Sequence, residues 1–315
     1  MAVTVVGSIA FDAVKTPFGE RERMLGGAAV HFALAASFFD EVRVVGPVGD
    51  DFGEAEFAVL GTRGIDTSGV EHVAGGETFF WAGEYGWDLN SRETLETRLG
   101  VFAEFEPKLS APAGESDVLF LANIQPDVQR AVREQCTGAR FAALDSMNLW
   151  IDVARDSLVQ TIAGVNCLVL NDAELRQLTS KPNLISAARE VLSWGPPGPD
   201  VIIAKQGEYG AALVTGDTYF SLPAFPLENV VDPTGAGDTF AGGFVGYIAA
   251  HTRKGRPDQA MLRRAMAYGT ALASYNVEEF GTERVARLTG SEIAQRVSDL
   301  ARITHFEDAP VELRG

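Results

Sequence analysis

Cysteine is nearly absent from this chain: two in 315 residues, Cys136 and Cys167, without metal-ligand spacing around either. That excludes a disulfide-built scaffold and a thiolate zinc centre, and marks both as core thiols of a reducing compartment. No run of about 18 apolar residues occurs, and Val3-Thr4-Val5-Val6 begins without a basic region or long apolar stretch before it. Neither export nor a membrane span is expected, and the expected location is the cytoplasm. Positive charge is in deficit, with 26 Lys and Arg against 43 Asp and Glu, a net −17. Such a field repels DNA, RNA and anionic lipid, so no nucleic-acid or membrane partner is expected. An anionic ligand would have to be held by local donors and metal ions. Two nucleotide signatures are missing as well: there is no G-x-x-x-x-G-K-[ST], and no G-x-G-x-x-G after the first apolar run.

What is present suits a soluble globular protein: 46% hydrophobic and 22% charged residues, enough for one large core or a core with a small appendage. Short β-rich runs at 3–6, 42–45, 118–121, 141–144, 167–170 and 201–204 alternate with segments of helical periodicity. This alternation predicts an α/β fold, a doubly wound and mostly parallel sheet with helices on both faces. Ligands collect at the carboxyl ends of such strands. Asp12, Asn123, Asp145, Asn171 and Lys205 each follow one of these runs within a few residues, so they are expected to converge on one edge.

One region breaks the rhythm. Between 70 and 105 there are strand-like pieces at 78–85 and 101–105, with turn residues at Gly75-Gly76, Gly86 and Asn90. The expected organisation is a single domain, 1–315, carrying an inserted β lid contributed mainly by about 70–106. Phe79, Phe80, Trp81, Tyr85 and Trp87 cluster there. Phe79 and Trp81 are candidates to stack on a nucleobase. Alternating aromatics would equally serve to bury the lid's inner face or to pair lids in a homodimer. The run Gly195 to Pro199 reads as a turn feeding the next strand.

The richest stretch is Asp232-Pro233-Thr234-Gly235-Ala236-Gly237-Asp238-Thr239-Phe240-Ala241-Gly242-Gly243-Phe244, a glycine-dense loop running into a helix-like segment that ends near Ala250. Small residues at Gly235, Ala236 and Gly237 let consecutive N–H groups turn toward one point at a helix start, where an anion is favoured. A carboxylate one residue later would repel that anion unless it takes a proton from an attacking hydroxyl, which makes Asp238 the candidate general base of a phosphoryl transfer. The alternative is a turn whose Asp238 complements the helix dipole.

These residues resemble the C-terminal signature of the ribokinase-like, or PfkB, carbohydrate and nucleoside kinases, D-[TP]-[TV]-G-A-G-D-x-F. Other family landmarks occur in order: Gly7 to Asp12, Gly26-Gly27, Asn171 to Glu174, and Lys205 to Gly210. The run 78–107, Asp145 to Asn148 and the close of the chain are most similar to bacterial adenosine-kinase-like nucleoside kinases. The resemblance implies a ribokinase-like fold with a β lid over the acceptor, ATP and a small nucleoside or sugar as ligands, and Mg²⁺ on the ATP phosphates. It gives Asp12 the sugar diol, which a carboxylate can hold with two accepted hydrogen bonds. It gives Gly26 and Gly27 a close approach of sugar to backbone.

Where sugar-kinase members carry Lys-Gly-Ala-Asn, this chain has Ala28-Ala29-Val30-His31, which weakens a ribokinase or fructokinase reading. His31 either contacts substrate or is a satisfied helix residue. Asn123 and Asp145 are further substrate candidates. Asn171 and Glu174 match the family's N-x-x-E, which orders waters of the Mg²⁺; an N-cap with its capping-box partner explains the same pair. Lys205, Gly207, Gly210 and Thr234 are implied to line the ATP site, with the base near a helix at 261–274. Asp232 and Thr234, with Phe280-Gly281, resemble the family's monovalent-cation loop, which implies K⁺. The expected reaction is transfer of the γ-phosphate to a primary hydroxyl of an adenosine-like nucleoside. A sugar kinase acting on ribose or a hexose, and a binding regulator without catalysis, are the alternatives.

Overall fold

A computed structural model of the chain describes residues 2–195, 198–252 and 255–307. Its strands are β1 (Ala2–Val6), β2 (Ala10–Thr16), β3 (Gly19–Gly26), β4 (Glu41–Val48), β5 (Asp66–His72), β6 (Phe79–Tyr85), β7 (Arg92–Arg98), β8 (Val118–Leu121), β9 (Phe141–Asp145), β10 (Cys167–Asn171), β11 (Val201–Lys205), β12 (Ala211–Val214) and β13 (Tyr219–Leu222). Nine of them form one sheet in the order β13-β12-β11-β10-β9-β8-β1-β4-β5. From β11 to β5 every pairing is parallel, and β12 and β13 add an antiparallel edge.

Period two along these strands divides the core. Val3, Val5, Phe120 and Ala143 point into one apolar layer; Val6, Leu119, Leu121, Ala142 and Leu144 point into the other. Helices Ala28–Ala36, Ala236–His251 and Gln259–Asn276 cover the first face. Pro126–Gln135, Arg155–Ile162, Asp172–Thr179 and Leu184–Leu192 cover the second. Strands buried on both sides need near-continuous apolar runs, which is why all six strands expected in the parallel sheet were legible. Cys136 and Cys167 are both buried free thiols, and burial pushes each above its ordinary value.

The small sheet corrects the expected lid. Its order is β3-β2-β6-β7, so half of it comes from residues 10–26 rather than from 70–106. Residues 66–72 instead form the edge strand of the large sheet. The piece expected as a strand at 101–105 is a 3-10 turn, Gly100–Glu104, in which Phe102 folds back onto Phe79, ring centres 5.6 Å apart. That contact, with Phe105 stacked behind Phe102, removes the alternation a strand would have used. The turn expected at Gly195 to Pro199 includes Pro196 and Pro197, which lie outside the described residues.

Candidate active site

The helix Ala236–His251 begins at Gly235, which is left-handed with φ 73°. Only glycine fits there for a second reason: a Cβ would lie 2.3 Å from the His31 ring beneath it. The Ala236 N–H bonds the Pro233 carbonyl at 3.2 Å and the Thr239 N–H bonds the Gly235 carbonyl at 2.8 Å, so the loop enters the helix through a tight turn. Helix geometry leaves first-turn N–H groups without intrahelical acceptors; that of Ala236 is taken by Pro233, and the turn stands beside Lys205 at the carboxyl edge of the sheet.

Asp238 stands in that first turn, half-buried. Burial first, then the charge of Asp145, push its carboxyl up to about 7, against the opposing pull of Lys205. The Lys205 ammonium donates to Asp145 Oδ2 at 2.8 Å and lies over the loop, 3.1 Å from where a Cβ on Gly237 would stand. Its burial favours the neutral amine, but Asp145, Glu174 and Asp238 together outweigh that and hold it above its ordinary value. Strand register explains the convergence: Asn171 pairs with Lys205 across β10 and β11, and Asp145 pairs with Val169 on the next strand. Asp145 is steadied further by the Ser146 N–H at 2.8 Å, and the buried Gln129 amide donates to the carbonyls of Leu121, Ala122 and Asp145.

Glu174 and Asn171 close a capping box on helix Asp172–Thr179. Asn171 Oδ1 accepts from the Glu174 N–H at 2.7 Å, and Glu174 Oε2 accepts from the Asn171 N–H at 2.8 Å. Glu174 is nonetheless pushed up to about 7: burial outweighs the opposing pull of Lys205, and the charge of Asp145 adds a smaller push in the same direction as burial. One carboxylate oxygen of Glu174 therefore caps a helix, and the second lies outside the capping box.

Asp12 lies in the middle of β2, on the small sheet, and only 6% exposed. Burial, then the charges of Asp232 and Asp238, raise it to about 7 despite a hydrogen bond from the Gly27 N–H. Gly26 and Gly27 have reasons to be glycine other than sugar approach. The Asp12 carboxylate occupies the space over Gly26, where a Cβ would sit 2.0 Å from Oδ2, and the Ser8 carbonyl lies over Gly27, where φ is 95°. His31 is buried on helix Ala28–Ala36, its Nδ1 3.1 Å from Asn276 Oδ1. Because that oxygen accepts, Nδ1 carries the proton, and burial lowers the ring's pKa to about 4. Its Nε2 has no hydrogen-bond partner among the described residues.

Asp12 and Trp81 are register partners on β2 and β6. The Trp81 ring lies flat over Gly83, within 2.2 Å of a Cβ built there, and its Nε1 donates to Thr94 at 3.3 Å. Phe79 is engaged instead with Phe102. Asn123 is also engaged: Oδ1 accepts from Trp150 Nε1 at 3.1 Å and Nδ2 reaches Met147 Sδ at 3.2 Å, so its amide braces the 147–150 turn. Gly207 and Gly210 close the turn between β11 and β12, where the Gln206 N–H bonds the Gly210 carbonyl at 2.8 Å. Both Asp232 oxygens accept main-chain N–H groups, from Thr234 at 2.8 Å and Gly281 at 2.9 Å, pinning the loop. The Thr234 hydroxyl meets the Tyr85 hydroxyl of the small sheet at 3.2 Å.

Sequence reasoning missed Asn276. Its Nδ2 donates to the Thr234 carbonyl at 2.7 Å, while Oδ1 accepts from Thr239 at 2.9 Å and from His31. A fully buried asparagine on an apolar helix was the signal available.

Comparison with known proteins fits this arrangement. The model for "pfkB family carbohydrate kinase" matches residues 3–287. The chain is 28% identical over 267 residues to a cytidine kinase of Thermococcus kodakarensis, covering 83% of this chain and 92% of that one. It is 25% identical to a nucleoside kinase of Methanothermobacter thermautotrophicus over 91% of this chain and 93% of that protein. Among solved structures, the nucleoside kinase of Methanocaldococcus jannaschii shares the fold at a TM-score of 0.76 and 20% identity, over 95% of this chain and 98% of that one. With a family match across most of its length, the chain belongs to the pfkB family of carbohydrate kinases and is a phosphotransferase acting on an alcohol.

Proposed function

We propose that the enzyme is an ATP-dependent nucleoside kinase that moves the γ-phosphoryl group to a primary hydroxyl of the nucleoside's sugar. The observation that carries this reading is Asp238 in the first turn of a helix, its carboxyl raised to about 7, beside the Lys205 ammonium that lies over the same loop. A base with that value is half ready at neutral pH to accept the hydroxyl proton as the oxygen attacks phosphorus. The N–H groups of Gly235 and Gly237 and the Lys205 charge would meet the negative oxygens of the transferring group, the Ala236 N–H being already bonded to the Pro233 carbonyl. Asp12 would hold the sugar diol, while His31, buried beneath Gly235, would support the loop rather than touch substrate.

A nucleoside rather than a free sugar is favoured by the Trp81 ring, an aromatic plane beside the Asp12 carboxylate on the adjacent strand. The cytidine and nucleoside kinases among its relatives widen the base beyond an adenosine-like one. Phe79 and Asn123, both spent on neighbours, drop to supporting roles. The donor set also fits a magnesium ion: Glu174 keeps one carboxylate oxygen outside its capping box, with the Asp145 carboxylate near enough for its charge to be felt there. Glu174 and Asn171 would hold it through water, and Mg²⁺ would neutralise the ATP phosphates. Gly207, Gly210 and Thr234 would line the nucleotide, and K⁺ beside Asp232 and a lid-to-lid dimer in the cytoplasm complete the proposal.

An ADP-release assay over cytidine, adenosine, inosine, ribose and fructose tests it. We expect a nucleoside to exceed ribose in kcat/KM by about tenfold or more, the worth of one good aromatic contact. Preference for a free sugar would turn the reading to a sugar kinase; no phosphorylated acceptor at all would leave a binding protein.

A further inference from the structure

Three segments that meet beneath the anion loop share one side chain. Asn276 closes the helix Gln259–Asn276 and is fully buried. A carbonyl can only accept, so the Thr234 carbonyl, 2.7 Å away, fixes which end of the amide is Nδ2. Oδ1 is thereby turned the other way, where it accepts from the Thr239 hydroxyl at 2.9 Å and from His31 Nδ1 at 3.1 Å. Thr234 precedes Gly235 and Thr239 follows Asp238, so a single amide grips both ends of the four residues Gly235 to Asp238.

The third bond supports the middle of that stretch. The His31 ring lies under Gly235, 2.3 Å from where a Cβ there would stand, so an imidazole held against Oδ1 gives the turn a floor. The main chain just beyond ties the approach to the loop, because the Val277 carbonyl accepts from the Val231 N–H at 2.7 Å and the Asp232 N–H at 3.4 Å. Thr239 departs from helical habit to take part. A threonine hydroxyl in a helix commonly returns to the carbonyl one turn back, as those of Thr161, Thr179 and Thr304 do here; that of Thr239 goes to Asn276 instead. Burying these polar groups in place of apolar ones gains little stability; what it fixes is one geometry.

We propose that Asn276 is a positioning residue of the transfer reaction, its amide clamping both ends of the stretch that carries the Asp238 base and the Gly235 and Gly237 donors. The proposal rests on the phosphoryl-transfer reading above and gives that site a determinant outside its own loop, on a different helix. Buried as it is, Asn276 reaches neither acceptor nor nucleotide; it acts through Thr234, Thr239 and His31. A displacement of about 1 Å at a reacting group costs on the order of 10²-fold in rate, so loosening either end of the stretch falls on kcat and hardly on KM.

The full-length enzyme, altered at both ends of the clamp, tests this. Asn276→Ala should lower kcat by about 10²-fold and move either KM by less than about threefold. That variant also strands three buried partners, so the decisive pair is at Thr239. Thr239→Val keeps the shape, loses the hydroxyl, and should lower kcat about tenfold, the worth of one hydrogen bond. Thr239→Ser keeps the hydroxyl, loses a methyl, and should recover most of that loss, to within about threefold of the parent. In the Asn276→Ala background, Thr239→Val should cost less than about threefold more, because the hydroxyl's partner is already gone. In the unliganded protein, amide exchange at 235–239 should quicken about tenfold in Thr239→Val while 262–272 keep their rates. Exchange needs no acceptor, so the two claims fail separately. A parent enzyme that phosphorylates no acceptor would sink the transfer reading and the catalytic role with it; unchanged exchange at 235–239 would sink the clamp itself. A kcat that falls as far in Thr239→Ser as in Thr239→Val, a change confined to KM, or additive losses in the double variant would equally overturn the proposal.

Discussion

The loop from Asp232 to Asp238 and the small sheet face each other across one cleft, and they are built in opposite ways. The loop is tied from every side: two main-chain bonds on Asp232, three on the Asn276 amide, and an imidazole packed under Gly235. The small sheet has β7 exposed at all seven positions and β3 exposed at its first five. Its outer parts meet the body through a compact cluster of Val14, Tyr85 and Phe280, the ion pairs Arg21–Glu283 and Arg23–Asp51, and the bonds Thr234–Tyr85 and Asn90–Glu208, while Phe11 and Leu25 anchor β2 and β3 in the main core. Groups that must hold a reacting geometry sit where bonding over-determines them; groups that must admit and release a ligand sit on the part with few ties.

The sharpest way to break that contrast is Asp238→Asn. We expect kcat to fall by about 10²-fold or more while nucleotide binding survives, the usual worth of a general base. The same change should stabilise the unliganded protein in alkaline buffer. Asp238 titrates near 7 in the fold against 3.8 ordinarily, so the native state holds the proton more tightly and stability falls as pH rises between those values. The amide carries no such cost. At pH 8 the variant should be more stable by about 1 kcal/mol or more, with the gap closing toward pH 4, read by thermal melts across pH. Near-normal turnover would remove Asp238 from its role.

The same division decides what the sequence made legible. Buried parallel strands need unbroken apolar runs and the anion loop needs glycine at Gly235, so both could be read directly from residue order. β5, with the sequence DTSGVEH, and β7, with RETLETR, lie on sheet edges where solvent accepts any polar residue, so no pattern marks them. Residues 10–26 escaped for a different reason: their pairing with β6 is long-range, and local propensity is silent about partners. Asp12, Asp145, Glu174 and Lys205 were legible as candidates because each lies at, or a few residues beyond, the end of a buried parallel strand. Asn276 acts through Thr234, Thr239 and His31, all distant in sequence, and the neighbours of Asn123 and Phe79 were likewise beyond the reach of local pattern.

His31 sharpens the rigid side. Its folded value near 4 lies below the ordinary 6.5, so the unfolded chain binds the extra proton between those values and stability from this group is lost as pH falls through that window. Asp12, Glu174 and Asp238, raised to about 7, act in the opposite direction, so the total curve hides the histidine. Comparison with His31→Gln, whose amide can still face Asn276 but cannot titrate, isolates it. The stability difference between parent and variant should shift against the parent by about 2 kcal/mol from pH 7 to pH 5. A constant difference would mean that His31 is charged in the fold and that the imidazole under Gly235 is not held neutral.

The smallest expected effect tests the looser side. Tyr85→Phe keeps the ring in its cluster with Val14 and Phe280 and deletes the bond to Thr234, at a cost of about 1 kcal/mol or less for one hydrogen bond at the cleft. If the small sheet opens as a unit, that loss appears as faster amide exchange across residues 79–98 and a nucleoside KM raised about two- to fivefold, with kcat nearly intact. Exchange in helix Ala236–His251 should stay as it was, because Asp232 and Asn276 hold the loop independently of Tyr85. Were exchange to quicken in the loop and helix together with the strands, the two walls of the cleft would be one cooperative unit. Coverage of the substrate would then be paid for in catalytic geometry each time the sheet lifts.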